Sequence, residues 1–443
     1  MLKTFKLGGV HPPENKISAN AKTEVLPLPK SVFIPVAQHI GAPAVPVVNK
    51  GDVVKVVQLI AKSSSFVSTN IHSPVSGKVK KVDLATDSSG YTRQGIFIDV
   101  EGDEWLEEID RDETLKTDFD FDGKTIIQKI QDAGIVGMGG ATFPTHVKLV
   151  PPVGMKAEVL LINGVECEPY LTSDHRLMLE KTEEILVGTK ILMKAMNVEK
   201  AFIGIENNKP DAIQLLTSKA TKYTGIGIVP LKVKYPQGGE KQLIKAVTGK
   251  EVPSGGLPIA VGAVVSNVGT AFAVYEAIQK NKPLFERVVT VTGKGVKKPS
   301  NFKVRMGTPT TELIEAAGGL PENTGKIISG GPMMGKALAT PDVPVTKGTS
   351  GILILSEKEA KRQEYMECIR CGRCVSVCPM GLEPYLLMTA SEKHLFDRAE
   401  NERVLDCIEC GSCSYTCPSS RPLLDYIRYG KGKVGQIVRS RKK

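Results

Sequence analysis

Eight of the nine cysteines in this 443-residue chain stand in two copies of one pattern near its end. Cys368-Ile369-Arg370-Cys371-Gly372-Arg373-Cys374-Val375-Ser376-Val377-Cys378-Pro379 is followed by Cys407-Ile408-Glu409-Cys410-Gly411-Ser412-Cys413-Ser414-Tyr415-Thr416-Cys417-Pro418. Thiolates three residues apart in a tight loop reach three corners of one four-iron cubane, and Gly372 and Gly411 let the backbone turn between them. Zinc also uses C-x2-C pairs, but an ion satisfied by four ligands leaves the rest of each run and its trailing proline without a role. A disulfide framework is disfavoured, because the start Met1-Leu2-Lys3-Thr4-Phe5-Lys6 has no apolar signal-peptide core and points to the reducing cytoplasm. The pattern predicts two [4Fe-4S] clusters.

The repeat resembles the bacterial two-cluster ferredoxins, in which the fourth cysteine of each run binds the cluster of the other run. That resemblance implies one cluster on Cys368, Cys371, Cys374 and Cys417 and a second on Cys407, Cys410, Cys413 and Cys378, lying close together in a domain over 355–430. Residues 382–398 between the runs are apolar at helical spacing and are expected to pack that domain. Cys167 stands apart in Val165-Glu166-Cys167-Glu168-Pro169 and reads as a small, partly buried side chain.

The chain is too long for one ordinary core and suggests about three domains. Its longest apolar stretches, such as 257–265, are broken by Pro and Gly and fall short of the ~20 residues that cross a bilayer. Over 1–100, short strands such as Ser31-Val32-Phe33-Ile34-Pro35 and Gly77-Lys78-Val79-Lys80-Lys81-Val82 are punctuated by Gly and Pro. This region resembles the barrel-sandwich fold of biotinyl and lipoyl carriers. It lacks their Met-Lys hairpin tip, so it reads as a docking module. An acidic stretch over 101–122 suits an exposed linker. From 123 to 285 strand-like runs alternate with helical patterns, an α/β layer. The unit over 286–345 resembles a soluble-ligand-binding β-grasp domain, with a spacer as its plainer reading. The expected fold class is therefore α/β multidomain, ending in a helical two-cluster domain.

The formal charge of +10 suits an acidic protein partner or an anionic membrane face. The basic tail over 431–443, with Lys431, Lys433, Arg439, Arg441, Lys442 and Lys443, has no interleaved aromatics to stack on bases, so nucleic acid is not expected. The tail reads as solvated and partly disordered, or as a membrane or subunit contact.

Closely spaced glycines in Gly134-Ile135-Val136-Gly137-Met138-Gly139-Gly140-Ala141-Thr142-Phe143-Pro144 would let backbone amides approach a flat ring or a phosphate. The loop does not sit in the strand-then-helix frame of a dinucleotide fingerprint, and alone it also fits a tight turn. With its surroundings it resembles Gly-x-Gly-Gly-x-x-Phe-Pro of the flavin and NADH-binding subunit of respiratory complex I. Three further segments resemble that family in the same order: Asn163-Gly164-Val165-Glu166-Cys167-Glu168-Pro169 with Asp174 downstream, Tyr235-Pro236-Gln237-Gly238-Gly239-Glu240, and Ser266-Asn267-Val268-Gly269-Thr270. The resemblance implies a noncovalent FMN among Gly137, Gly139, Gly140, Lys148, Asn163, Tyr235, Gly238, Ser266 and Asn267, with Glu166 and Gly239 completing the cofactor-binding set. Phe143, Glu168 and Glu240 would meet NAD(H), the two carboxylates as the catalytic pair. The sequence departs from the pattern at Gly239, where an acid is usual, at Ser266 in place of Asn, and at Met138 in place of a basic residue.

The chain as a whole is similar, in domain order, to the C subunits of the Rnf complex, the membrane-bound ferredoxin:NAD oxidoreductase of bacteria. Gly8-Gly9-Val10-His11-Pro12-Pro13-Glu14-Asn15-Lys16 strengthens the likeness. It implies a peripheral subunit on the cytoplasmic face of the membrane. FMN would exchange a hydride with NAD(H), and single electrons would pass through the clusters to or from membrane subunits, coupled to ion translocation by the whole complex. Cobalamin reductases of bacterial microcompartments share the flavin, β-grasp and two-cluster plan. An electron wire or scaffold without nucleotide chemistry is the remaining alternative.

Overall fold

The structure is a computed structural model describing residues 2–441. At the N-terminal end, Ser31–Pro35, Thr92–Val100, Gly77–Thr86 and Val53–Val54 form one antiparallel sheet in that order, and Val45–Pro46, Leu59–Lys62 and Ile71–His72 form a second. Alternation explains the closure: Val32, Ile34, Ile96 and Ile98 point inward and meet Ile60 and Ile71 in one dry core. The stretch 101–122, expected as an exposed linker, is partly laid down. Trp105 meets Phe285 edge to face at 5.4 Å, and the Lys116 amide donates to the Tyr275 hydroxyl at 3.1 Å.

The central layer is a parallel sheet in the order Ile226–Leu231, Ala201–Glu206, Val159–Asn163, Ala263–Asn267. Its strands are apolar nearly throughout because helices cover both faces. Leu160, Ile162 and Val264 face Thr182–Met196 and Val268–Lys280, while Leu161 and Val265 face Glu240–Thr248. Chain order runs outward from Val159–Asn163 to one edge and then returns to its other side at Ala263–Asn267. Ligands of open α/β sheets collect at the carboxyl ends of strands where the order reverses in this way. Asn163 and Asn267, paired in register, mark that point.

A six-stranded mixed sheet follows, in the order Thr23–Val25, Ser300–Arg305, Glu286–Thr292, Gly351–Ser356, Thr324–Ser329, Lys336–Ala337, with the helix Thr310–Ala316. The sheet exceeds the 286–345 expected for it at both sides. Gly351–Ser356 is an interior strand, pairing with Glu286–Thr292 and Thr324–Ser329; Ile352 and Ile354 enter the core on one face, and Leu353 packs with Tyr170 and Ile328 on the other. Thr23–Val25 adds a parallel edge strand from more than two hundred and fifty residues upstream.

In the cysteine-rich unit, 382–398 contains the helix Pro384–Glu392 and the start of Phe396–Asn401, separated by His394 at φ +58°. The basic stretch requires a correction. Residues 431–441 are not a solvated tail but the second half of the helix Leu423–Arg441. Val434 is fully buried and Gly430 lies against Ser391, so this helix packs along Pro384–Glu392. Arg441 adds an ion pair with Glu400 at 2.8 Å. Lys442 and Lys443 lie outside the described residues.

Candidate functional site

All fourteen residues expected to bind cofactor line one cleft of about 700 Å³ at the carboxyl ends of the parallel strands. The glycine loop is closed by the Gly137 amide donating to the Phe143 carbonyl at 2.9 Å and anchored by the Met138 amide donating to Thr270 Oγ1 at 2.9 Å. A Cβ on Gly139 would lie 2.7 Å from Asn267 Nδ2, whereas Gly140 faces open space. The loop therefore presents bare backbone to the cleft on one side and packs tightly on the other.

Asn163 and Asn267 are occupied in shaping the walls. Asn163 donates to the Gly238 carbonyl at 2.8 Å and accepts from the Val165 amide at 3.1 Å. Asn267 caps the helix Val268–Lys280 through the Gly269 amide at 2.8 Å and donates to Asp174 at 2.7 Å. Burial raises the Asp174 carboxyl to about 7, the neighbouring Glu166 adds to the rise, and Asn267 and Arg287 oppose it. Glu166 accepts from the amides of Asp174 at 2.7 Å and His175 at 3.2 Å, the start of the helix Ser173–Glu180. It is thus a helix cap as well as a wall of the cleft.

The two carboxylates expected to be catalytic both reach the cleft, and each already has partners. Glu168 accepts from the amides of Met333 at 2.6 Å and Met334 at 3.0 Å, which tie it to the β-grasp unit, and burial pushes its carboxyl up. Glu240 pairs with Lys148 at 2.8 Å. Thr145 Oγ1, also on the cleft, is buried without a hydrogen-bond partner among the described residues. An orphaned hydroxyl, a lysine and an uncovered glycine backbone are the donor set that a flavin phosphate and ring need.

Sequence reasoning missed the residues that hold this loop in shape. Lys16 Nζ donates to the carbonyls of Glu166 at 2.7 Å, Glu168 at 2.9 Å and Leu171 at 2.7 Å, and Lys209 Nζ donates to Val165 at 2.8 Å. Those bonds fix a segment whose Glu166 and Tyr170 carry positive φ, an unfavourable backbone region for such residues. Burial, with Lys209 nearby, lowers the Lys16 pKa. Lys16 closes the segment Gly8–Lys16, which is the one signal that pointed toward it.

Cys378, Cys407, Cys410 and Cys413 surround a second cavity together with Leu382, Leu387, Leu424 and Ile427. One thiol comes from the first run and three from the second, the swapped set. Burial pushes Cys407 up to about 11 and Cys413 up to about 12 in this apolar shell, so the thiolates need a positive centre such as iron to form there. Burial, with Cys417 and Cys368 nearby, raises the Cys374 thiol pKa, while Cys368 and Cys371 are exposed. Cys407 and Cys410 also line the flavin-sized cleft, so the two cavities share a wall.

The sequence matches the RnfC barrel sandwich hybrid domain over 3–103, the Nuo51 FMN-binding domain over 130–276, the SLBB domain over 288–337 and the 4Fe-4S dicluster domain over 360–418. The C subunit of the proton-translocating ferredoxin:NAD(+) oxidoreductase complex of Clostridium ljungdahlii is 51% identical over 97% of this chain and 94% of its own length. The chain belongs to the RnfC family. The C subunit of the Na(+)-translocating ferredoxin:NAD(+) oxidoreductase complex of Acetobacterium woodii is 45% identical over 97% of each chain. That of the ion-translocating oxidoreductase complex of Rhodobacter capsulatus is 43% identical over 98% of this chain and 84% of its own.

Like its RnfC relatives, the chain is an enzyme subunit with an FMN-binding domain and a two-cluster domain, and the likeness drawn from its motifs is borne out. Among its described residues no helix is long and apolar enough to cross a membrane. An NAD+-reducing [NiFe]-hydrogenase in the air-oxidized state overlaps 71% of this RnfC chain and 66% of the hydrogenase chain, with 17% identity and a TM-score of 0.49.

Proposed function

We propose that this chain exchanges a hydride between NAD(H) and FMN in the cleft and relays single electrons through two [4Fe-4S] clusters to or from membrane subunits on the cytoplasmic face. The observation that carries this reading is the shared wall: Cys407 and Cys410 belong both to the flavin-sized cleft and to a four-cysteine cavity. FMN, when bound, supplies the conversion between electron pairs and single electrons. The chain's residues supply the rest. Gly140 leaves the cleft floor bare, Gly139 lets the loop close onto Asn267, Lys148 and Thr145 offer donors to an anionic group, and Phe143 gives an apolar face for the nucleotide. Glu168 and Glu240 fix the polar rim through Met333, Met334 and Lys148. Cys368 and Cys371 put the other cluster set at the surface, where a partner can approach.

The test is an anaerobic titration of the FMN, iron and sulfide-reconstituted chain with NADH, followed in the flavin and cluster absorbance bands. Bleaching of both is expected. Binding of FMN with no bleaching by NADH would overturn the NAD(H) assignment and favour an electron wire or a cobalamin reductase.

A further inference from the structure

The basic stretch at the end of the chain forms part of a helix with a specific reach. Gly430 and Gly432 flank Lys431 within Leu423–Arg441, and each glycine costs a helix about 1 kcal/mol against alanine. Gly430 has a packing reason, its contact with Ser391. The close approach brings Lys431 to the junction of the two cavities. Its Nζ donates to the Cys407 carbonyl at 2.6 Å and to Glu409 Oε1 at 2.9 Å, and the side chain lines the flavin-sized cleft.

The two cysteine runs have the same loop shape and opposite charges. Glu409 at φ +58° occupies the place that Arg370 at φ +55° occupies in the first run. Arg370 has no hydrogen-bonded acid among the described residues, while Glu409 is bracketed by Lys431 and by Arg428 at 3.1 Å. The nearby Asp406 is engaged by Ser254 and by the Gly255 amide at 3.0 Å. Lys431 is thus the cation bonded to the backbone of a ligand of the buried set.

We infer that Lys431 is a positioning residue whose charge raises the reduction potential of the cluster on Cys378, Cys407, Cys410 and Cys413. Reduction places one extra negative charge on that cluster, with no bond made or broken and no proton moved. A fixed cation within a few ångströms in a poorly solvated site favours the reduced form, and an anion opposes it. In the first set, where Cys368 and Cys371 are exposed and Arg370 lies between them, no lysine is bonded to a ligand's backbone among the described residues. The inference rests on the cluster assignment in the proposed function and not on NAD(H) as donor.

The experiment is a mediated dithionite titration of the full, reconstituted chain, with both clusters followed by electron paramagnetic resonance. Lys431→Gln keeps a hydrogen-bond donor and removes the charge. It is expected to lower one of the two midpoints, weakening reduction about tenfold, or ~59 mV for a one-electron couple, and to leave the other in place. Lys431→Arg should restore it. Glu409→Gln should move the same midpoint upward. Unchanged midpoints in Lys431→Gln, equal shifts of both, or an Arg variant that behaves as the Gln variant does would each overturn the inference. If Lys431→Gln fails to take up iron, the absence of an upward shift in Glu409→Gln overturns it. A chain that NADH cannot reduce would sink the proposed donor while leaving these midpoints readable.

Discussion

The Tyr235 hydroxyl donates to the backbone carbonyl of Cys410 at 2.8 Å, so a residue of the flavin-sized cleft is bonded directly to a cluster-binding loop. Burial, with Glu168 close by, pushes the phenol far above its usual range, which keeps the donor proton in place at any working pH. Tyr235→Phe removes that one bond and leaves the ring. The buried carbonyl loses its partner, and a stability loss of about 1 kcal/mol is expected in urea unfolding, with iron content unchanged.

Gly139→Val should abolish FMN binding. Its Cβ would meet Asn267, whose amide also holds Asp174, so either the loop or that amide must move. Flavin absorbance after reconstitution is the measurement. Retention of full flavin would show that the loop does not line the ring site.

Cys371→Ser and Cys378→Ser each should remove one cluster, about half the iron, by different routes. The first touches an exposed set and should spare flavin. The second lies in the first run yet should empty the cavity built by the second run. Iron analysis with flavin quantitation decides both, and a Cys378→Ser chain with the full iron complement would refute swapped ligation.

Phe143→Ala should weaken NADH about tenfold while FMN affinity falls less, as expected for losing one half-buried aromatic face. Equilibrium binding of each ligand separates the two. Equal losses would mean that Phe143 serves the flavin.

Lys347 gives a pH test. Its fully buried ammonium donates to the carbonyls of Asn70 at 2.8 Å and Gly134 at 2.6 Å, tying the barrel-sandwich to the α/β layer, and burial lowers its pKa from 10.5 to about 7. Between those values the unfolded chain holds more protons, so this group's contribution rises with pH, being smallest below about 7 and complete above 10.5. The stability of the wild type relative to Lys347→Met should therefore increase from pH 7 to pH 9, by up to about 1.4 kcal/mol per pH unit. Urea midpoints at the two pH values measure it, and a constant difference would rule out the shift.

What the sequence made legible was whatever is encoded by spacing. The cysteine runs, the glycine loop from Gly137 to Phe143 and strands such as Ser31–Pro35 carry their geometry in a few adjacent residues. Lys16, Lys209, Lys347 and Arg287 were not legible, because a buried cation binding distant carbonyls leaves no local pattern. Gly351–Ser356 is hidden for a similar reason: its apolar run shows a strand but not that it pairs with Glu286–Thr292, about sixty residues earlier. The helical end is not legible in its basic residues, because Gly430, Gly432 and Gly435 depress helix propensity and it is packing on Pro384–Glu392 and Phe396–Asn401 that overrides them.

The placement of Gly9 has a consequence for biogenesis. Its amide donates to the Val377 carbonyl at 2.8 Å, Val10 pairs with Tyr235 in both directions, and Gly8 abuts the backbone of Cys378. Residues 8–10 therefore touch both the α/β layer, through Tyr235, and the first cysteine run, through Val377 and Cys378. Seating residues 8–10 and shaping the loop that carries Cys378 are therefore mutually dependent events in the maturation of the subunit.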